Sequence, residues 1–287
     1  MSKNNDQLLL DYKKSNKERR QKIVSKAGFK TEIDYINFLL NDAVPSLETT
    51  DSDMLDQVIA FDTTGSMGGY IAAVKQHVKE LIPKLFAENP SLRLKIVAFG
   101  DYCDMSSPTL FGNAYQVCEL TDNQNELINF VNRAQTTSGG DSDEFYEVVL
   151  KKVVEETSWR QGSRRALLLI GDYGPHPVGY TYGNIVRNSQ IDWKQEAGKA
   201  VGIGLQIDTL NCGNVAVESF YKPLSYMTDG VNIPFSSQSK TTDAVYAVTS
   251  VRGSSASKMA FMASETAAMA SGDEELIGTY KSLRKKL

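Results

Sequence analysis

From Gln57 to about Val251 the chain alternates between short apolar runs and longer segments whose apolar residues recur at helical spacing. The apolar runs are QVIAFD, LRLKIVAF, YQVCEL, RALLLIGD, LQIDTL and VNIPF, and between most of them lie amphipathic stretches such as YIAAVKQHVKELIPKLF and EFYEVVLKKVVEETSW. Near-continuous apolar strands separated by helices predict a sheet buried on both faces. The third run follows the second after a short stretch containing Pro108, Gly112 and Asn113, too short for a comfortable helical crossover, so that pair is expected to be antiparallel. The expected fold is a doubly wound, mostly parallel six-stranded α/β sheet flanked by helices.

The ends of the chain read differently, which divides it into residues 1–55, an α/β domain over 56–251 and residues 252–287. Up to Lys30 there are nine basic side chains against three acidic ones, although the whole chain carries a net charge of −4. Thr31 is placed to cap a helix over EIDYINFLLNDAV, whose Ile33, Ile36, Phe38, Leu39 and Leu40 make an apolar face. The polar run SLETTDSDML has the composition of a linker. The last segment sets Met259, Met262 and Met269 on an alanine-rich helix and closes with a basic tail.

Composition narrows the function classes. The chain has 41% hydrophobic residues but no run of about 18 apolar ones, and its first residues lack the apolar core and cleavage site of a signal peptide, so a cytoplasmic location is expected. Cys103, Cys118 and Cys212 form no CxxC pair, which fits reduced structural thiols rather than a disulfide framework or zinc site.

The chemistry concentrates in VIAFDTTGSMGGY, Val58 to Tyr70. An apolar strand there ends in Asp62, and the spacing Asp62-x-Thr64-x-Ser66 puts three hard oxygen donors on one tight loop, a set that suits magnesium. RALLLIGDYGPHP repeats the arrangement with Asp172. These are the first and fourth strands. In the order 3-2-1-4-5-6 they flank the switch point where ligands bind at the strands' carboxyl ends, about 4.8 Å apart.

These residues resemble the von Willebrand factor A domain family. VIAFDTTGSM is similar to its Asp-x-Ser-x-Ser element with Thr64 in place of the first serine, DYGPHP to the fourth-strand aspartate loop of many intracellular members, and TSGGDSDEFYEVVL to the third, glycine-rich element. The resemblance covers roughly residues 55 to 251 and implies a metal-ion-dependent adhesion site, in which magnesium, or manganese or calcium, binds an acidic group of a partner. It also implies a place in multiprotein assemblies, often beside AAA+ ATPases. The family's second loop normally supplies a threonine to the metal, and that position falls here on Gly140. Asp141 ranks first as its replacement, with Thr136 and Thr137 as upstream alternatives and capping of a helix near Glu144 as the competing role for Asp141. Asp143 is read as helix-start charge.

His176, between two prolines, is expected to brace the Asp172 loop, with a partner-facing role as the alternative. The acidic DYCD run from Asp101 to Asp104 is expected to be a solvated loop. Enzyme readings fit poorly. A haloacid-dehalogenase-like phosphatase needs an aspartate where Thr64 stands, a serine-hydrolase elbow needs Gly-x-Ser-x-Gly, and neither GxxxxGK[ST] nor GxGxxG is present. The expected function is a non-catalytic, magnesium-dependent binding or scaffolding module for a protein that supplies Asp or Glu. The alternatives are a metal-dependent hydrolase or phosphatase, and attachment to nucleic acid through the basic residues 1–30.

Overall fold

Six strands, β1 (Leu55–Asp62), β2 (Leu92–Phe99), β3 (Tyr115–Thr121), β4 (Arg164–Gly171), β5 (Leu205–Asn211) and β6 (Asn232–Pro234), form one sheet in the order β3-β2-β1-β4-β5-β6. This computed structural model describes residues 53–105 and 113–287, so the helical reading of residues 1–52 lies outside the described residues. Every neighbouring pair is parallel except β2 and β3, which run antiparallel as their short connection requires. The expected order and the expected antiparallel pair are both present.

The helices are α1 (Gly68–Glu88), α2 (Gln124–Arg133), α3 (Tyr146–Glu156), α4 (Trp193–Gly202), α5 (Lys222–Met227), α6 (Thr241–Arg252), α7 (Ser255–Ser271) and α8 (Glu274–Leu283). Successive strand side chains point to opposite faces, and both faces of β1 are buried. Ile59 joins a core with α1, α2, α6, α7 and α8, while Val58 and Ala60 join a core with α3, α4 and α5. Residues 252–287 therefore complete the first core, through Phe261, Ala268, Leu276, Tyr280 and Leu283.

Two local readings differ from the sequence expectation. Asp143 and Glu144 do not start a helix; they form a two-residue strand parallel to Gly174–Pro175, and α3 begins at Tyr146 with no side-chain cap. Asp141 is thus not the cap of that helix. Its carboxylate instead accepts from the Asp143 backbone N–H at 3.0 Å.

β1 enters the sheet through a buried ion pair. Asp56 is fully buried and accepts from Arg93 Nε and Nη2 at 3.0 and 2.8 Å, from the Arg160 backbone N–H and Nε at 2.7 and 2.8 Å, and from Ser163 Oγ at 3.1 Å. Burial alone pushes this carboxyl up, but the Arg93 hydrogen bonds, the Arg160 backbone N–H and the two guanidinium charges outweigh it and hold it below its ordinary value. Because the folded value lies below the unfolded one, the stabilisation is present above about pH 4 and is lost as pH falls through the folded value. Asp56→Asn is expected to cost about 2–3 kcal/mol in urea denaturation at pH 7, low for a broken buried pair because both guanidiniums are partly exposed, and to lose less at pH 3.

Candidate functional site

The parallel strands carry their C-terminal ends to one edge, and there β1 delivers Asp62 beside β4, which is followed by Asp172. Asp62 is fully buried, and its Oδ1 accepts from both the backbone N–H and the hydroxyl of Thr64, each at 2.7 Å. Its Oδ2 accepts from the Tyr146 hydroxyl at 2.9 Å, and Tyr146 in turn accepts from Tyr221 at 3.1 Å. Gly171 makes this possible: a Cβ there would overlap the Tyr146 hydroxyl.

Ser66, exposed on the turn into α1, hydrogen-bonds the Asp172 carboxylate. The structure thus brings Asp62, Thr64, Ser66 and Asp172 together, and Asp62 and Asp172 feel each other's charge. Asp172 Oδ1 is buried without a hydrogen-bond partner.

The second loop sends its residues in different directions. Thr137 is buried with its hydroxyl on Thr63 Oγ1 at 3.0 Å and its backbone N–H on the Thr63 carbonyl at 2.9 Å, while Thr63 also bonds the Phe99 carbonyl. Its role is to tie the second loop to the first. Thr136 is exposed. Gly140 packs so closely on Cys103 that a Cβ would lie 2.8 Å from its Sγ. Asp141 is exposed and turned to Tyr180, whose hydroxyl donates to it at 2.8 Å.

The residue the sequence reading missed is Glu144. It is buried, hydrogen-bonds Thr64, and leaves Oε2 without a partner. Gly139, in the left-handed region at φ +67°, lets the loop pass: a Cβ there would lie 2.9 Å from Glu144 Oε1 and 3.3 Å from Thr64 Cγ2. The signal was an acidic residue directly before the apolar FYEVVL, hidden by the helical reading of that stretch.

The electrostatics of these acids are one-sided. Burial, then the Asp172 charge, pushes Asp62 up to about 7 against the hydrogen bonds from Thr64 and Tyr146. Burial and the charges of Asp62, Asp101 and Asp104 push Glu144 up to about 10, and burial raises Asp172. Among the described residues, no lysine or arginine is among the largest influences on these three carboxyls. Buried carboxylates with orphaned oxygens, two hydroxyls and no cation form a donor set that fits a hard divalent ion.

A second cluster lies alongside. The DYCD run is not a solvated loop: Asp101 and Asp104 are fully buried. Asp104 accepts from the backbone N–H and hydroxyl of Ser138, both at 2.9 Å, and Asp101 Oδ1 lies 2.6 Å from His176 Nε2. His176 is 2% exposed. Its backbone N–H donates to Glu147 and its ring stacks on Tyr180 with centroids 3.8 Å apart. Burial lowers its pKa, but the Asp101 hydrogen bond and the surrounding carboxylates give a net rise. Asp101, Asp141 and His176 place their ligating atoms within 4.8 Å of one another and could hold a metal ion; Asp62 and Asp172 belong to no such group of three among the described residues. The His176–Asp101 and Asp141–Tyr180 hydrogen bonds already satisfy this second cluster.

Tyr146 and Gly171 set the position of Asp62. Gly171→Ala is expected to cost about 1–3 kcal/mol by overpacking against the Tyr146 ring, and Tyr146→Phe about 1 kcal/mol through one lost hydrogen bond, both read from urea midpoints.

Comparison with known proteins places this geometry. The family model for the von Willebrand factor type A domain matches residues 56–251. Among curated proteins, the "Putative ariadne-like RING finger protein R811" of Acanthamoeba polyphaga mimivirus is 22% identical over 188 residues, 62% of this chain and 18% of that protein. This chain therefore spans less than a fifth of that relative's length. Among solved structures, the pilus adhesin SpaC of Lactobacillus rhamnosus GG, in its open conformation, aligns with a TM-score of 0.49 at 14% identity, covering 73% of this chain and 30% of the adhesin. With the family model matching well over half of its residues, the chain belongs to the von Willebrand factor type A domain family.

Proposed function

We propose that this chain is a non-catalytic protein-binding module whose Asp62, Thr64, Ser66 and Asp172, with Glu144 beside them, hold a magnesium ion that engages an acidic group of a partner. The observation that carries this reading is the orphaned Asp172 Oδ1 beside buried acids for which no cationic side chain of the described residues is among the main influences. Manganese or calcium suits the same oxygen donors. A bound ion supplies an open coordination position for a carboxylate oxygen.

The chain's residues do the rest. Thr64 and Tyr146 spend their hydrogen bonds on Asp62 and fix both of its oxygens, while Ser66 orients Asp172 at the open rim. The Thr63–Thr137 pair keeps the two loops at a set separation. An acidic partner group is favoured over a basic one only when the site's own negative charge is neutralised, so binding should require the cation. Among the described residues no buried nucleophile–base pair accompanies these side chains: His176, within reach of Asp101, is enclosed, and His77 lies on the exposed side of α1 beside Glu80. No helix among the described residues is long and apolar enough to cross a membrane.

Calorimetric titration of the full chain with magnesium tests the assignment. Asp172→Ala, and Thr64→Ala with Ser66→Ala, are expected to weaken magnesium binding at least tenfold, about 1.4 kcal/mol, with circular dichroism unchanged. His176→Ala or Asp141→Ala abolishing binding while Asp172→Ala spares it would move the ion to the second cluster. A partner retained from lysate in magnesium should be released by EDTA and only weakly by salt, because a short coordinate bond is poorly screened. Release by salt with indifference to EDTA, lost on neutralising the basic residues before Lys30, would favour the nucleic-acid reading. Magnesium-dependent phosphatase turnover abolished by Asp62→Asn would reverse the choice of a non-catalytic module.

A further inference from the structure

The sheet edge that carries Asp62 and Asp172 is flanked by apolar side chains that no described residue covers. Val178, Ile185 and Val215 are 51%, 39% and 44% exposed, and all three sit in the connections that follow β4 and β5 and so leave this edge. Residues 177–190 fold as a hairpin-like loop. The Gly179 N–H donates to the Ser189 carbonyl at 2.7 Å, the Ser189 N–H to the Tyr180 carbonyl at 2.9 Å, and the Tyr182 N–H to the Val186 carbonyl at 2.7 Å. This loop carries two tyrosines, no acidic side chain and one basic one, Arg187. Exposed apolar side chains scattered singly need no explanation, but gathered around one site they mark a contact surface.

Both connections are held against the site. Tyr180 donates to Asp141 at 2.8 Å and stacks on the buried His176. The Tyr182 hydroxyl lies 3.9 Å from where a Gly140 Cβ would stand, and a Cβ on the adjoining Gly139 would lie 3.3 Å from Thr64 Cγ2. On the other flank, a Cβ at Gly213 would lie 2.6 Å from the Asp172 carbonyl, so the loop bearing Val215 presses directly on that aspartate.

We propose, resting on the magnesium-bridged reading of this site, that the apolar rim selects among acidic partners. The occupant is an extended protein segment with one aspartate or glutamate and an apolar or aromatic side chain two positions from it. In an extended segment, residues i and i+2 point the same way about 7 Å apart. A residue that sends its carboxylate into the site therefore sends its neighbours two places away onto the surroundings, where Val178, Ile185 and Val215 stand. Apolar contact there excludes water and strengthens the polar contact at its centre. The two tyrosines suit this role because a rigid ring offers a large contact area at low entropic cost. Further acidic side chains would meet the exposed Asp141 and the half-buried Asp143, so a run of acids is disfavoured.

Random peptides displayed on phage, selected on the immobilised full chain in magnesium and eluted with EDTA, read the occupant directly. The recovered peptides are expected to share one Asp or Glu with an apolar or aromatic residue two positions away. A synthetic peptide of that consensus should bind at least about fivefold more weakly to a chain carrying Val178→Ser, Ile185→Ser and Val215→Ser, while calorimetric titration of that variant with magnesium stays unchanged. An acid with no flanking preference, basic flanks drawn to Asp141, or equal binding to the variant would overturn the role of the rim and leave the magnesium bridge standing. Peptides that carry no acid, peptides that EDTA does not release, or an empty selection would sink the bridge and the rim together.

Discussion

A carboxylate inside a sheet buried on both faces must meet a positive charge or keep its proton, and β1 carries one such group near each end. Asp56, at the entry to the strand, is gripped by Arg93 and Arg160 and is held ionised. Asp62, at the exit, receives only neutral donors, Thr64 and Tyr146, and is pushed up to about 7. The same strand thus has a compensated end and an uncompensated one. The first stabilises the fold; the second costs stability, which is the sign expected of a binding site rather than of a structural ion pair.

The surroundings of Asp62 are built to keep that difference. Gly171 admits the Tyr146 hydroxyl where any side chain would exclude it, and Gly139 and Gly140 allow the second loop to fold closely over Glu144 and Cys103. The Thr63–Thr137 pair bolts the two loops together beneath the site. Stiffness here comes from buried neutral hydrogen bonds, which hold oxygens in place without neutralising them. The neighbouring Asp101–His176 pair works in the opposite manner, since its two side chains hydrogen-bond each other and its geometry is spent on tying the Asp172 loop to the loop after β2.

Much of this was legible in the chain. The strand order and the antiparallel pair follow from apolar runs and connection lengths, because a strand buried on two faces must be apolar throughout and a short link cannot cross over. Asp62-x-Thr64-x-Ser66 and Asp172 were legible for the same reason: each follows a strand whose end is fixed by topology, so their convergence needs no knowledge of side-chain packing.

The second loop was not legible. Its residues lie on no regular element, and their directions depend on contacts with distant parts of the chain. Gly140 turns toward Cys103, Asp141 toward Tyr180, and Thr137 inward to Thr63, while Glu144 gains its place only because Asp143–Glu144 pairs with Gly174–Pro175, some thirty residues away. The acidic DYCD run looked solvated because local polarity says nothing of the histidine and the serine that enclose it. Sequence by itself determined the elements, their order and the two strand-end aspartates, since periodicity and topology are local or combinatorial. Tertiary structure alone decided which acids are balanced and which are left bare, because that balance depends on what the folded chain brings within a few ångströms.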